Sequence, residues 1–121
     1  MFAGDTAGRR GPRTLRILGV ASEGCRTLIL SGELDLSSTD DLESMINQVC
    51  APDTRLLTID LSRLTFMDCA GVHVLVGAAA LCVKNGCELR VVDGAAVRRL
   101  LELTGLRAEP WLHGDASALG Q

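Results

Sequence analysis

Aromatic side chains are nearly absent: there is no tyrosine, and only Phe2, Phe66 and Trp111 carry rings. A chain with so few rings must pack aliphatic side chains, and 47% of the sequence is hydrophobic, mostly Leu, Val, Ile and Ala. It also lacks any platform on which bases could stack. With a single lysine, Lys84, and a formal net charge of −3, no basic stripe exists, so direct nucleic-acid binding is not expected. No CxxC pair occurs among Cys25, Cys50, Cys69, Cys82 and Cys87, an odd count without regular spacing. These read as reduced thiols of a cytoplasmic protein, most of them small buried hydrophobes. The opening "MFAGDTAGRRGPR" has arginines but no apolar h-region and does not read as a secretory signal. The longest apolar run, "VHVLVGAAALCV" at 72–83, contains His73 and is closed by Lys84-Asn85-Gly86. It falls short of the roughly 20 residues a bilayer-spanning helix needs, so no membrane insertion is expected and a buried helix is.

What the chain does have is alternation. Residues 1–13 show no periodicity and are expected to form a flexible tail; 14–121 read as one domain. "LRILGVA" (15–21) and "RTLILSGEL" (26–34) read as a hairpin around Ser22-Glu23-Gly24. "LSSTDDLESMINQVC" follows, with Ser37 or Ser38 available as a cap, acids in the first turn, and Leu42, Met45, Ile46 and Val49 at helical spacing. "RLLTIDL" (55–61) predicts a central strand, 62–68 a loop, and the apolar segment after it a helix stopped by Gly86. "ELRVVD" (88–93) predicts a strand and "GAAVRRLLELTG" (94–105) a helix. "RAEPWL" predicts an edge strand, since Pro110 is tolerated best at an edge, and a short helix is expected from Asp115. The sum is an α/β fold: a mixed four- to five-stranded β-sheet with three to four helices mainly on one face and right-handed parallel crossovers. The edge near Pro110 suggests a weak homodimer.

The chemistry concentrates in "FMDCAGV" (66–72). A helix beginning at Asp68, Cys69 or Ala70 leaves backbone N–H groups without intrahelical partners, which favours a negative group there. Gly71 permits close approach of a backbone or partner. No hydroxyl lies between Asp68 and Gly71. Cys69 is either a packed or half-exposed thiol or a nucleophile or redox sensor at a helix mouth. His73 stands four residues on, but one contact does not make a triad and two ligands do not make a metal site. Cys82 and Cys87 flank a helix end, close enough to approach each other; in a reducing cell the preferred reading is separate core and turn residues. "GELD" (32–35) alone is a solvated turn. No phosphate-binding glycine loop, nucleotide fingerprint or paired catalytic carboxylates occur, so neither an enzyme nor a cofactor is expected.

Taken in order, "LILSGELDLSSTDDLESMI", "LLTIDLSRLTFMDCAGVHVLVGAA" and "LRVVDGAAVRRLLELTGL" resemble the bacterial anti-sigma factor antagonists of the STAS domain family, over about residues 15 to 112. The resemblance implies a non-enzymatic partner switch. Such a domain binds a kinase-type anti-sigma factor, a histidine-kinase-like ATPase domain, and so frees a sigma factor; the kinase turns it off by phosphorylating a hydroxyl in a D-S-[ST]-G loop. It implies partner contacts at Asp35, Ser37, Asp68, Cys69, Ala70, Gly71 and His73, with Ala70 at the phosphorylated position. Ala70 accepts no phosphate, so the usual off-switch is expected to be missing, leaving a constitutive antagonist or one regulated by oxidation at Cys69. The D-C-A-G loop also looks like the D-T-A-G loop of the STAS subunit of an ABC-type phospholipid transport system, which is the alternative reading.

Overall fold

The computed structural model describes residues 15–106 and 109–113. The expected tail and the helix from Asp115 lie outside these residues. Two antiparallel strands come first, β1 (Leu15–Ser22) and β2 (Cys25–Leu34). Between them Glu23 and Gly24 both have positive φ, 46° and 85°. That is the two-residue turn whose twist matches a hairpin, and glycine at its second position carries no Cβ penalty.

From β2 the chain alternates: α1 (Thr39–Val49), β3 (Leu56–Met67), α2 (Cys69–Asn85), β4 (Glu88–Val92), α3 (Ala95–Leu103) and β5 (Leu112–His113). The sheet order is β1-β2-β3-β4-β5, parallel from β2 onward. This is the expected mixed sheet with helical connections. Alternate strand residues (Leu15 and Ile17, Leu28 and Leu30, Leu57 and Ile59, Leu89 and Val91) are buried and join one cluster with residues of all three helices, including Leu42, Leu75 and Leu101. Each fully buried Leu removes apolar surface worth about 1.5–3 kcal/mol, which lets an aliphatic core stand without rings. The residues between them, such as Leu18 and Ile29, stay partly exposed on the opposite face. Among the described residues no helix is long and apolar enough to cross a membrane.

The structure corrects the expected loop at 62–68. β3 continues through Met67, pairing Ser31 with Arg63, Gly32 with Leu64 and Glu33 with Phe66. Two register shifts, between Ile29 and Ser31 and between Gly32 and Glu33, each insert an extra β3 residue. Buried positions therefore pass from 57, 59, 61 to 61, 64, 67, and the period of two that marks a strand in sequence disappears. At the other edge, the strand expected over 107–112 is only Leu112–His113, following Pro110, and 107–108 lie outside the described residues.

Candidate functional site

The bulged end of β3 carries the chain to the start of α2, beside the end of β2. Asp68 N–H donates to Leu34 O (3.2 Å), tying the two strand ends together. Gly71 sits just inside α2 and is buried: a Cβ there would lie 2.6 Å from Met67 Cγ and 3.0 Å from Leu34 Cδ2. Its role is to let the helix close onto the strand ends, and it offers no side chain to a partner.

Asp68 is the N-cap of α2. Its Oδ1 accepts from Ala70 N–H (2.9 Å), and its carbonyl accepts from Gly71 N–H (3.0 Å) and Val72 N–H (3.4 Å). The expectation of unpartnered amides awaiting an anion is thus corrected. The negative group at the helix mouth is the chain's own carboxylate, placed where capping and the macrodipole favour it.

Beside it, the turn from β2 into α1 is built on Asp35. Its Oδ1 accepts from Ser37 N–H (3.0 Å) and Ser37 Oγ–H (2.6 Å), with Ser38 Oγ–H at 3.4 Å. The Ser37 hydroxyl is the chief reason that the Asp35 carboxyl is held below its usual range. Ser38 occupies the N-cap position of α1, but its Oγ accepts from Asp35 N–H (3.0 Å) and faces the Glu33 and Asp35 carbonyls. Neither serine caps α1 with its side chain, because both hydroxyls are committed to Asp35 and its neighbours.

The structure brings the expected residues onto one surface. Ser37, Cys69 and His73 are exposed, Asp35, Asp68 and Ala70 are partly so, and Gly71 lies beneath them. Leu36, Thr39, Glu43, Cys69, Ala70 and His73 line a shallow groove of about 330 Å³ between α1 and α2. One hydrophobic member escaped the sequence reading, Leu36, 77% exposed; Phe66, near the end of β3 and paired with Glu33, is also 47% exposed. Leu36 continues the alternation of Leu30 and Leu34, and Phe66 stands two residues after Leu64, so both look like inward strand positions until the turn after β2 and the bulges in β3 are known. The arrangement offers the Asp35 carboxylate, held in its ionised form by Ser37, a small residue at Ala70 and an exposed apolar side chain at Leu36. It has neither a nucleophile paired with a base nor a cluster of ligands.

Residues 17–117 match the STAS domain family. The chain is 32% identical over 98 residues to the anti-sigma-F factor antagonist RsfB of Mycobacterium tuberculosis, covering 78% of each protein. It is 29% identical over 79 residues to an anti-sigma-B factor antagonist of Staphylococcus aureus, covering 64% of this chain and 73% of that one. Among solved structures, an anti-sigma factor antagonist from Mycobacterium paratuberculosis superposes with a TM-score of 0.78 at 29% identity, covering 89% of this chain and 92% of that one.

Proposed function

The chain belongs to the STAS domain family, and from that premise we propose that it is an anti-sigma factor antagonist, a regulatory binding protein rather than an enzyme. Relatives bearing that name cover most of the chain. Its partner is a kinase-type anti-sigma factor with a histidine-kinase-like ATPase domain, met in the cytoplasm and held on the Asp35–Ser37 turn and the outward face of Cys69, Ala70 and His73. Leu36 and Phe66 supply the apolar anchors that carry most of the energy at such a contact. Asp68 and Gly71 shape the surface from behind.

One observation carries the regulatory part of this reading: Ala70 is the position at which the D-S-[ST]-G pattern has its hydroxyl, and alanine accepts no phosphoryl group. The antagonist is therefore constitutive, limited by its abundance, or switched by oxidation of the exposed Cys69 thiol beside it. A phosphate at position 70 would bring about two negative charges next to Asp68 and Asp35 and spoil docking by repulsion.

The test is incubation of the wild-type chain and of Ala70→Ser with the cognate kinase and ATP, followed by intact mass. The wild type should form a stable complex and gain no phosphate, whereas Ala70→Ser should gain one and lose affinity by ~10-fold or more, as expected when a dianion enters a docked surface. A stoichiometric phosphate on residues 62–71 of the wild type refutes the constitutive reading.

A further inference from the structure

Cys50, Cys82 and Cys87 come from separate parts of the chain: just past the end of α1, in the last turn of α2, and immediately before β4. Cys82 is a core residue of α2 and Cys87 a turn residue before β4, and of the two readings the structure bears out their approach. The three Sγ atoms all lie within 4.8 Å of one another, and Cys50 Sγ is 3.9 Å from Cys87 Sγ. A Zn–S bond of about 2.3 Å puts thiolates roughly 3.8 Å apart in tetrahedral and roughly 4.0 Å apart in trigonal geometry. The observed spacing is close to that required around one ion, and small side-chain rotations suffice to complete it.

We propose that these three cysteines form a three-thiolate site for a thiophilic d10 cation, Zn(II) above all. Sulfur donors with no carboxylate or imidazole among them select soft ions over Mg(II) or Ca(II). Divalent zinc leaves the site with a single net negative charge, which a partly buried position tolerates better than the two left by Cu(I). Asn85 already serves the site: its Nδ2 lies 3.3 Å from Cys50 Sγ and 3.4 Å from Cys50 O, an outer-shell donor directed at a sulfur. A cavity of about 360 Å³, lined by Cys82, Cys87, Glu109 and Trp111 among others, gives a route in and room for a water as fourth ligand.

Burial pushes the Cys82 and Cys87 thiols up. Without a cation they stay protonated and are poor nucleophiles, which disfavours a role in thiol exchange. Binding is a displacement without redox: Zn²⁺ replaces the three thiol protons, forming three Zn–S bonds and releasing three H⁺ to solvent. The site lies at the far end of α2 from the docking surface; thirteen residues from Cys69 to Cys82 span about 20 Å at the helical rise. Metal would pin α1, α2 and β4 together there, independently of what binds at the other end.

The reduced full-length protein is titrated anaerobically with Zn(II) against a chromophoric chelator, and with Cd(II) while following thiolate-to-metal charge-transfer absorption. One ion per chain is expected, with a Tm raised by several degrees at saturating metal because only the folded state offers the site. Cys87→Ala and Cys50→Ser should each weaken binding at least ~10-fold, as loss of one of three thiolates requires, and Cys25→Ser and Cys69→Ser should not. Far-UV circular dichroism identifies any variant that fails to fold; Cys87, only half-buried, is the one least able to fail for that reason. Equal affinity for wild type and Cys87→Ala overturns the proposal. So does a Cys50–Cys87 disulfide that forms, with loss of two thiols, while the reduced protein takes up no zinc.

Discussion

Replacing Asp68 by Ala removes the side chain that closes the start of α2 and leaves the rest of the site intact. The Oδ1 acceptor of Ala70 N–H is lost, and with it a carboxylate at the positive end of a 17-residue helix. Loss of an N-cap to alanine costs about 0.5–2 kcal/mol, of which the charge accounts for roughly 0.3–1. The Asp68 carbonyl still accepts from Gly71 and Val72 N–H, so the helix keeps its first backbone bonds. A value of about 1.5 kcal/mol is thus expected, against a total of about 5–15 for a domain. With a urea m-value near 1.5 kcal/mol/M, the midpoint falls by about 1 M at unchanged m. Asp68→Asn keeps an oxygen acceptor and gives up only the charge, so it should lose about a third as much. Hydrogen exchange supplies the local readout, with the Ala70 amide losing protection before the amides of the helix centre. If Asp68→Ala unfolds at the wild-type midpoint, or Asp68→Asn costs as much as alanine, the self-capped mouth is wrong.

The two glycines Gly77 and Gly94 should respond oppositely to alanine, as urea denaturation will show. Gly77 is exposed within α2 with nothing within 4 Å of an added Cβ, so Gly77→Ala should stabilise by about 0.5–1 kcal/mol. At Gly94 the Cβ would lie 2.7 Å from Ser62 Cα, a backbone atom that cannot rotate away, so Gly94→Ala should destabilise by about 1–3 kcal/mol. For Ser37→Ala the cost is present at neutral pH and disappears in acid, where wild type and variant converge. Asp35 is held below its ordinary value of 3.8 mainly by the Ser37 hydroxyl, so its stabilisation is present above that value and lost as pH falls through the folded one. The variant should flatten the loss of stability below about pH 4 and leave the neutral slope unchanged, measured by denaturation across the pH range.

The amino-acid pattern alone determined most of the architecture. Period-two runs such as Leu28–Leu30 and Leu57–Ile59 and period-3.6 runs such as Leu42–Met45–Ile46–Val49 report burial locally, because side-chain direction is set by the backbone each residue belongs to. The missing hydroxyl at Ala70 and the carboxylate at Asp68 could likewise be read directly, since each is a matter of identity at one position. Four things waited for the tertiary structure. The two bulges that turn residues 62–67 into strand leave no period to detect, because each extra residue cancels the alternation it interrupts. Whether the amides at the α2 mouth were free depended on the rotamer of Asp68; whether Leu36 was core or surface depended on the turn built on Asp35, and for Phe66 on how the bulges turned β3. The meeting of Cys50, Cys82 and Cys87 arises from packing α1 against α2 beside β4, a long-range event that no spacing between cysteines encodes.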